Sequence, residues 1–204
     1  MRPDGVLANR LVVPESGLSA RDYIARQAMQ LFSERGFRAT SMNAVAEACG
    51  VSKPALYRYF VNKSALLEYA YQAVTRNLWR VIEEIGQPTA SPEERLRALI
   101  NAQVSYHLEN WRFVSVFWRE RRELDGRMRA TVRKHESRYE DTVRAILVEG
   151  QAAGAFAPMD VDLATSSILG LVSTVYRWGR HTGKRPEDIA DAIGTLILVG
   201  IGAK

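Results

Sequence analysis

A chain of 204 residues, of which 47% are hydrophobic, is long enough to bury a substantial core in one large helical domain or in a large and a small one. Its formal net charge of +5 suits a polyanionic partner but does not establish one. The single cysteine excludes an intramolecular disulfide framework, and the apolar stretches are too short to cross a bilayer. Because the N-terminus also lacks a signal-peptide pattern, we expect a cytoplasmic protein that has no membrane partner.

The N-terminal 19 residues show no sustained hydrophobic periodicity. They contain two prolines and two glycines, and we expect them to form a mobile arm. A first helix is predicted from about residue 20 to residue 35, because apolar residues there recur at helical spacing. Gly36, followed by Phe37, is placed to cap the end of this helix.

The stretch from residue 40 to residue 63 contains two short helical patterns separated by a tight turn. Gly50 suits the positive φ of such a turn, Ser52 is a good N-cap for the second helix, and Pro54 falls in its first turn. Leu56 is expected to point toward the core. The positions left on the outside are then Lys53, Ala55, Tyr57 and Arg58. This pattern is typical of a helix-turn-helix, and the alternative is an ordinary corner between two helices.

Further helices are predicted along the rest of the chain. The fourth begins after Asn62 and runs from residue 63 to about residue 85, and Ser91 with Glu94 forms the pattern of a capping box before the fifth. The others are expected near 92–108, 110–124, 126–153, from Asp160 or Asp162 to about 181, and 186–200. No strand pattern or repeat is apparent, so the predicted fold class is all-α with about nine helices.

We divide the chain into three parts on this basis. Residues 1–19 are the arm, residues 20–66 are a three-helix N-terminal helix-turn-helix domain, and residues 67–204 are a larger helical domain.

The segment from residue 20 to about residue 70 resembles the DNA-binding domain of the TetR family of transcriptional regulators. The runs that carry the resemblance are AMQLFSERGFRATSM, VAEACGVSKPALYRYF and NKSALL. The resemblance implies a sequence-specific DNA-binding regulator, expected to be a repressor that a small apolar or acyl-CoA-type effector releases from a palindromic operator in double-stranded DNA. Pro54 stands where the family often has glycine, so the base preference at that position does not transfer.

The same resemblance implies which residues contact DNA. Thr40 or Ser41, together with Lys63, would lie at helix N-termini that meet phosphates. Tyr57 and Tyr59 would donate hydroxyl hydrogen bonds to the DNA backbone, although Tyr59 could equally fill the core, to which we assign Phe60. The residues expected in the major groove open the recognition helix and are Ser52, Lys53, Pro54 and Ala55.

An effector pocket in the middle of the chain is implied by the family resemblance as well. The candidates are Tyr106, Trp111, Phe117, Trp118, Arg122, Tyr139, Tyr176 and Trp178, each of which is by itself more often a core residue than a ligand contact. The C-terminal segment VSTVYRWGRHTGKRPEDIADAIGTLILVGI is similar to that of TetR-type repressors of fatty-acid or sterol degradation. Acyl-CoA thioesters are the inducers of those repressors.

A homodimer is expected because one recognition helix buries too little surface to bind DNA tightly. In the TetR family the last two helices form a four-helix bundle across a two-fold axis. The candidate interface residues are Ile168, Leu171, Val172, Val175, Ile189, Ile193, Leu196 and Ile197. The alternative is that these side chains form the core of one subunit while other edges of the same helices meet the partner.

Catalysis is not expected. The three histidines, His107, His135 and His181, are widely spaced without a metal-ligand pattern, and no phosphate-binding glycine loop or nucleophile elbow occurs. We therefore expect no cofactor and no metal, and Cys49 inside the helix-turn-helix is expected to be a small buried residue. The other non-enzymatic interpretation is a constitutive, dimeric architectural DNA-binding protein that has no effector.

Overall fold

The computed structural model describes residues 18–124 and 126–202, so almost all of the predicted N-terminal arm lies outside the described residues. Within the described residues the chain is all-α, which confirms the predicted fold class. The helices are α1 (Ala20–Arg35), α2 (Met42–Ala48), α3 (Lys53–Tyr59), α4 (Lys63–Gly86), α5 (Pro92–Glu109), α6 (Trp111–Glu120), α7 (Gly126–Ala152), α8 (Val161–Trp178) and α9 (Pro186–Gly200).

Two predicted helices end earlier than expected because each finishes in a 3-10 turn. Arg121–Glu123 follows α6, and Gly179–Thr182 follows α8 before Gly183 takes a φ of 69°. At the start of α8, the Asp160 side chain accepts a hydrogen bond from the Leu163 N–H at 3.0 Å, so Asp160 and not Asp162 is the N-cap.

Contacts divide the chain into two compact units, and the division falls inside α4. Of the described residues, the first unit contains those up to Val74 together with Arg112–Met128, and the second contains Thr75–Trp111 and those from Arg129 onward. The first unit therefore includes α6 from Arg112 onward, which the predicted boundaries had assigned to the larger domain. Aromatic residues of α6 pack on the first half of α4, where the rings of Phe117 and Tyr71 stack with centroids 5.1 Å apart.

The core of the first unit joins the helix-turn-helix to α1 and α4. Ile24, Phe32, Leu56 and Leu66 are among its fully buried side chains. Helices as short as α2 and α3 are not stable alone, so they depend on packing against α1 and α4. This packing holds α2 and α3 at a defined angle.

The core of the second unit is built around α5, which packs against α8 and α9. Leu96, Leu99, Ile100 and Val104 are completely buried there. The α5 N-terminus carries the predicted capping box: the Ser91 hydroxyl accepts from the Glu94 N–H, and the Glu94 carboxylate accepts from the Ser91 N–H.

Arg95, the one arginine that is buried among the described residues, holds the end of α4 to this core. Its guanidinium donates to the carbonyl oxygens of Ile85 and Gly86, both at 2.9 Å, and pairs with the Glu149 carboxylate on α7. A helix C-terminus leaves carbonyl groups without partners, and a cation is well placed to satisfy them.

Candidate nucleic-acid interface

The turn between α2 and α3 has the geometry of a helix-turn-helix. Gly50 takes a φ of 68°, a left-handed conformation that a side chain would strain, and the Val51 N–H donates to the Ala46 carbonyl at 3.0 Å. Ser52 caps α3 by accepting from the Ala55 N–H at 3.3 Å, and Pro54 lies in the first turn. The sequence predicted the Gly50 turn, the Ser52 cap and the position of Pro54, because each depends on neighbouring residues alone.

The exposed edge of α3 is polar and aromatic. Lys53, Pro54, Tyr57 and Arg58 are exposed, and the Lys53 ammonium lies 5.9 Å from the centroid of the Tyr57 ring. A cation over an aromatic face can restrict both side chains and present them together. Ser52 is half-buried, while Ser41, which caps α2, is exposed.

Three of the predicted DNA contacts are buried or hydrogen-bonded within the subunit instead of facing solvent. Ala55 is only 5% exposed and packs inward with Leu56, so it cannot reach a base edge. Thr40 is 1% exposed, and its hydroxyl donates to the Gly36 carbonyl at 2.8 Å. Lys63 donates to the carbonyls of Phe37 and Arg38 at 2.6 and 3.2 Å.

Lys63 therefore connects the start of α4 to the loop between α1 and α2. Its ammonium also lies 4.7 Å from the centroid of the Phe37 ring. Nothing in the local sequence indicated these contacts, because the partners are 26 and 25 residues away.

Tyr59 and Phe60 form the end of α3 and contribute to the interior. Phe60 is buried, as expected, and Tyr59 is half-buried with its carbonyl accepting from Arg21 at 3.3 Å. The Arg21 guanidinium also lies 5.0 Å from the centroid of the Phe60 ring. Arg21 on α1 thus fixes the end of the recognition helix, a role that sequence reasoning missed.

Cys49 is buried at the end of α2. Burial raises the pKa of its thiol to about 11, so the thiol is neutral at physiological pH. The expected small buried cysteine is confirmed.

The eight predicted effector contacts are divided between the two units. Phe117 is buried in the first unit, where Trp118 lies 4.7 Å from the Arg121 guanidinium and Arg122 is exposed. The other five belong to the second unit: Tyr139 is buried, Tyr106, Trp111 and Tyr176 are half-buried, and Trp178 is exposed.

Several buried polar atoms of the second unit have no hydrogen-bond partner among the described residues. They include Asn101 Oδ1, Gln103 Oε1, His107 Nδ1, Tyr139 OH and Thr165 Oγ1. Burial lowers the pKa of His107 to about 4, and a hydrogen bond to the Val172 backbone acts in the opposite direction. His107 is therefore neutral, and its Nδ1 is available as an acceptor. Of these five residues the sequence indicated only Tyr139, although polar residues at buried positions of a helix are a detectable signal.

Most of the predicted dimer-interface side chains lie inside one subunit. Ile168, Val172, Val175, Ile189, Ile193 and Ile197 are buried in the second unit, Leu171 is half-buried, and Leu196 is exposed. The apolar stripes of α8 and α9 are wide because they pack on α5, which is the alternative that the sequence left open.

The described residues contain neither a metal-binding cluster nor a membrane span. No three of their His, Cys, Asp or Glu side chains are grouped to hold a metal ion. None of the helices within 18–124 and 126–202 combines the length and apolar character that a bilayer requires.

A helix-turn-helix unit followed by a second helical unit is the architecture of a DNA-binding regulator. Residues 24–70 match the family model for bacterial regulatory proteins of the tetR family, and residues 89–201 match the model for a tetracyclin repressor-like C-terminal domain. The chain belongs to the TetR family of transcriptional regulators. It is therefore a DNA-binding transcription factor and not an enzyme.

Similar proteins agree with this assignment along nearly the whole chain. The transcriptional repressor KstR2 of Mycobacterium tuberculosis is 26% identical over 186 residues, covering 90% of this chain and 93% of KstR2. The crystal structure of the TetR family regulator PfmR from Thermus thermophilus is 33% identical with a TM-score of 0.78, covering 89% and 96% of the two chains. The structure of AibR in complex with isovaleryl coenzyme A and operator DNA is 27% identical with a TM-score of 0.75, covering 87% and 97%.

Proposed function

We propose that this protein is a homodimeric repressor that binds a palindromic operator through α3 and is released by an acyl-CoA effector bound in its second unit. The observation that carries the effector part is the set of unpaired polar atoms buried in the second unit. The relative AibR, which has been crystallised with isovaleryl coenzyme A and operator DNA, supports the same ligand class.

The exposed edge of α3 supplies the DNA contacts in this proposal. Lys53 can reach a phosphate or a guanine edge, and the Tyr57 hydroxyl can donate to the DNA backbone. Pro54 adds a rigid apolar surface in the first turn. Ser41, which is exposed, adds a hydroxyl at the start of α2. Thr40, Ala55 and Lys63 take no part in direct contact, because the first two are buried and the third is hydrogen-bonded within the subunit.

The dimer would form through the outer edges of α8 and α9. Leu163 on α8 and Leu196 and Val199 on α9 are 67%, 65% and 73% exposed in one subunit, and a second subunit would cover them. Gly170 is exposed in the middle of α8, and a Cβ at this position would meet no atom within 4 Å. Since glycine in a helix costs about 1 kcal/mol relative to alanine, close approach by a second subunit would explain it.

In this proposal the polar groups of the ligand satisfy the unpaired polar atoms buried in the second unit. Each buried polar atom without a partner costs on the order of 1–3 kcal/mol. A thioester carbonyl could accept from the Tyr139 hydroxyl, and an amide N–H of the pantetheine arm could donate to His107 Nδ1. The acyl chain would contact the surrounding aliphatic side chains.

Release from DNA requires the effector to prefer one conformation of the protein over another. We propose that α4 carries this preference, since the helix contributes residues to both units. An effector that contacts its second half would tilt its first half, where the Tyr69 ring contacts Phe60 at the end of the recognition helix. The two recognition helices of the dimer would then no longer match the operator.

The experiment is a titration of operator binding against acyl-CoAs, with the operator selected from a pool of genomic fragments. We expect isovaleryl-CoA or a longer acyl-CoA to weaken operator binding at least about tenfold, which requires about 1.4 kcal/mol of difference in affinity between the two conformations. The Tyr139→Phe variant should need more ligand for the same release, and free CoA is the control.

The outcome that contradicts the proposal is unchanged operator affinity in protein that calorimetry shows to be saturated with the acyl-CoA. Sequence-tolerant DNA binding with a steep salt dependence and no ligand response would favour the architectural alternative instead.

A further inference from the structure

The recognition helix α3 is supported differently at its two ends. At the start, Ser52 caps the helix by accepting from the Ala55 N–H, so this end is fixed by its own sequence. At the other end, the Tyr59 carbonyl accepts from the guanidinium of Arg21, which belongs to α1, at 3.3 Å. Because a helix of seven residues is not stable alone, the orientation of α3 depends on contacts from outside the helix, of which this is one.

Two aromatic rings hold the Arg21 guanidinium in place. Its central carbon lies 5.0 Å from the ring centroid of Phe60, at the end of α3, and 5.0 Å from that of Tyr69 on α4. These two rings contact each other edge to face, with centroids 5.4 Å apart. A cation next to two aromatic rings is restricted in position, so Arg21 joins α1 to the end of α3 and to α4 at one point.

The Tyr69 hydroxyl fixes this group of side chains to the start of α1. It donates to Asp22 Oδ1 at 2.8 Å, and Asp22 Oδ2 accepts from the hydroxyl of Ser19, the N-cap of α1, at 2.6 Å. Burial raises the pKa of Tyr69, and the hydrogen bond to Asp22 raises it further. The hydroxyl therefore keeps its proton and remains a donor. Tyr69 thus contacts α1 with its hydroxyl and the end of α3 with its ring.

An exposed arginine in a DNA-binding unit is commonly a phosphate contact. Arg21 is exposed, but its guanidinium lies against two rings and a carbonyl of its own subunit. This surrounding favours a role in holding α3 over a role in direct contact with DNA.

We propose that Arg21 and Tyr69 are positioning residues for operator recognition: they hold the end of α3 to α1 and α4, and so set the angle at which the exposed edge of α3 enters the major groove. Contacts to base edges require this angle, whereas binding to the phosphates of any sequence does not. Loss of either side chain should therefore weaken operator binding more than non-specific binding. The inference rests on the proposed DNA contacts of α3 and does not depend on the effector.

The test compares binding to the operator with binding to a random duplex of the same length, over a series of salt concentrations. Tyr69→Phe keeps the ring and removes only the hydroxyl. It should weaken operator binding about fivefold and leave binding to the random duplex unchanged. Arg21→Met removes both the donor and the cation, and should weaken operator binding about tenfold with an unchanged salt slope. A phosphate contact by Arg21 in each subunit would instead lower that slope by about 1.8.

Two further variants serve as controls, and thermal unfolding shows that each protein is folded at the assay temperature. Arg21→Lys keeps a cation next to the rings and a donor for the Tyr59 carbonyl, so it should recover most of the affinity that Arg21→Met loses. Tyr23→Phe is the matched control for Tyr69→Phe, because it removes a hydroxyl from α1 outside this group of side chains and should leave both affinities unchanged.

The outcomes separate this inference from the proposed function. A lower salt slope in Arg21→Met overturns the inference, because the residue would then be a phosphate contact. Unchanged operator affinity in folded Tyr69→Phe and Arg21→Met overturns it as well, and so does an equal loss of affinity for both duplexes. If the parent protein prefers no operator over random DNA, the proposed function itself fails. If the parent prefers an operator and the variants keep that preference in full, only the positioning role fails.

Discussion

Lys63 offers a test of whether a predicted DNA contact is instead a structural contact. In the structure its ammonium donates to the carbonyls of Phe37 and Arg38 and lies over the Phe37 ring. Hydrogen bonds from a charged donor contribute about 1.5–3 kcal/mol each, and partial exposure of the side chain reduces this. We expect Lys63→Met to lower the free energy of unfolding by about 2 kcal/mol, and Tm by about 4–8 °C for a chain of this length.

The assays are thermal unfolding followed by circular dichroism and operator binding measured over a series of salt concentrations. A lysine that neutralises a phosphate in each subunit of a dimer contributes about 1.8 to the slope of log affinity against log salt. Lys63→Met should therefore lower Tm and leave this slope unchanged. The matched control, Lys53→Met on the exposed edge of α3, should lower the slope and leave Tm unchanged. An unchanged Tm together with a lower slope in Lys63→Met would refute the structural role.

Three further predictions follow from buried or exposed groups of the second unit. Arg95→Met should reduce the free energy of unfolding by about 3–5 kcal/mol, measured with urea, because it leaves the carbonyls of Ile85 and Gly86 without their donor. Glu149→Gln should cost about 1 kcal/mol, because the amide oxygen of glutamine can still accept from Arg95; equal losses would contradict this. The pKa of His107 is about 4 when folded and near 6.5 when unfolded, so the unfolded state binds the proton first. His107 should contribute about 3 kcal/mol to the fall in stability from pH 7 to pH 4, and His107→Gln should reduce the total fall; an identical pH dependence in the variant would exclude a contribution from His107. Gly170→Leu should give a folded monomer by light scattering, and a dimer with unchanged operator affinity would exclude this edge of α8 as the interface.

The all-α fold class and most helix boundaries could be predicted from the sequence, because they depend on interactions within a few residues. The Ser91–Glu94 capping box and the Gly50 turn are satisfied by their own neighbours. The family motif between residues 20 and 70 identified the helix-turn-helix for the same reason. Helical periodicity also indicated that the apolar residues of α8 and α9 lie on one face of each helix.

Periodicity did not indicate what each apolar or polar face contacts, and only the tertiary structure decided this. Six predicted interface residues of α8 and α9 pack inside the subunit, and the exposed edge that could meet a partner carries Leu163, Leu196 and Val199. Similarly, α6 from Arg112 onward belongs to the first unit, where the Arg119 guanidinium donates to the Phe32 carbonyl across 87 residues of sequence.

The positions of the candidate DNA contacts were decided in the same way. Caps and turns form between neighbours and so can be recognised in the sequence. The burial of Thr40 and Ala55, and the carbonyl partners of Lys63, depend on segments that meet only when the chain is folded. The sequence by itself determined that α3 is a capped helix with a basic and aromatic edge, and the packing of α1 and α4 around it decided which of its residues are exposed.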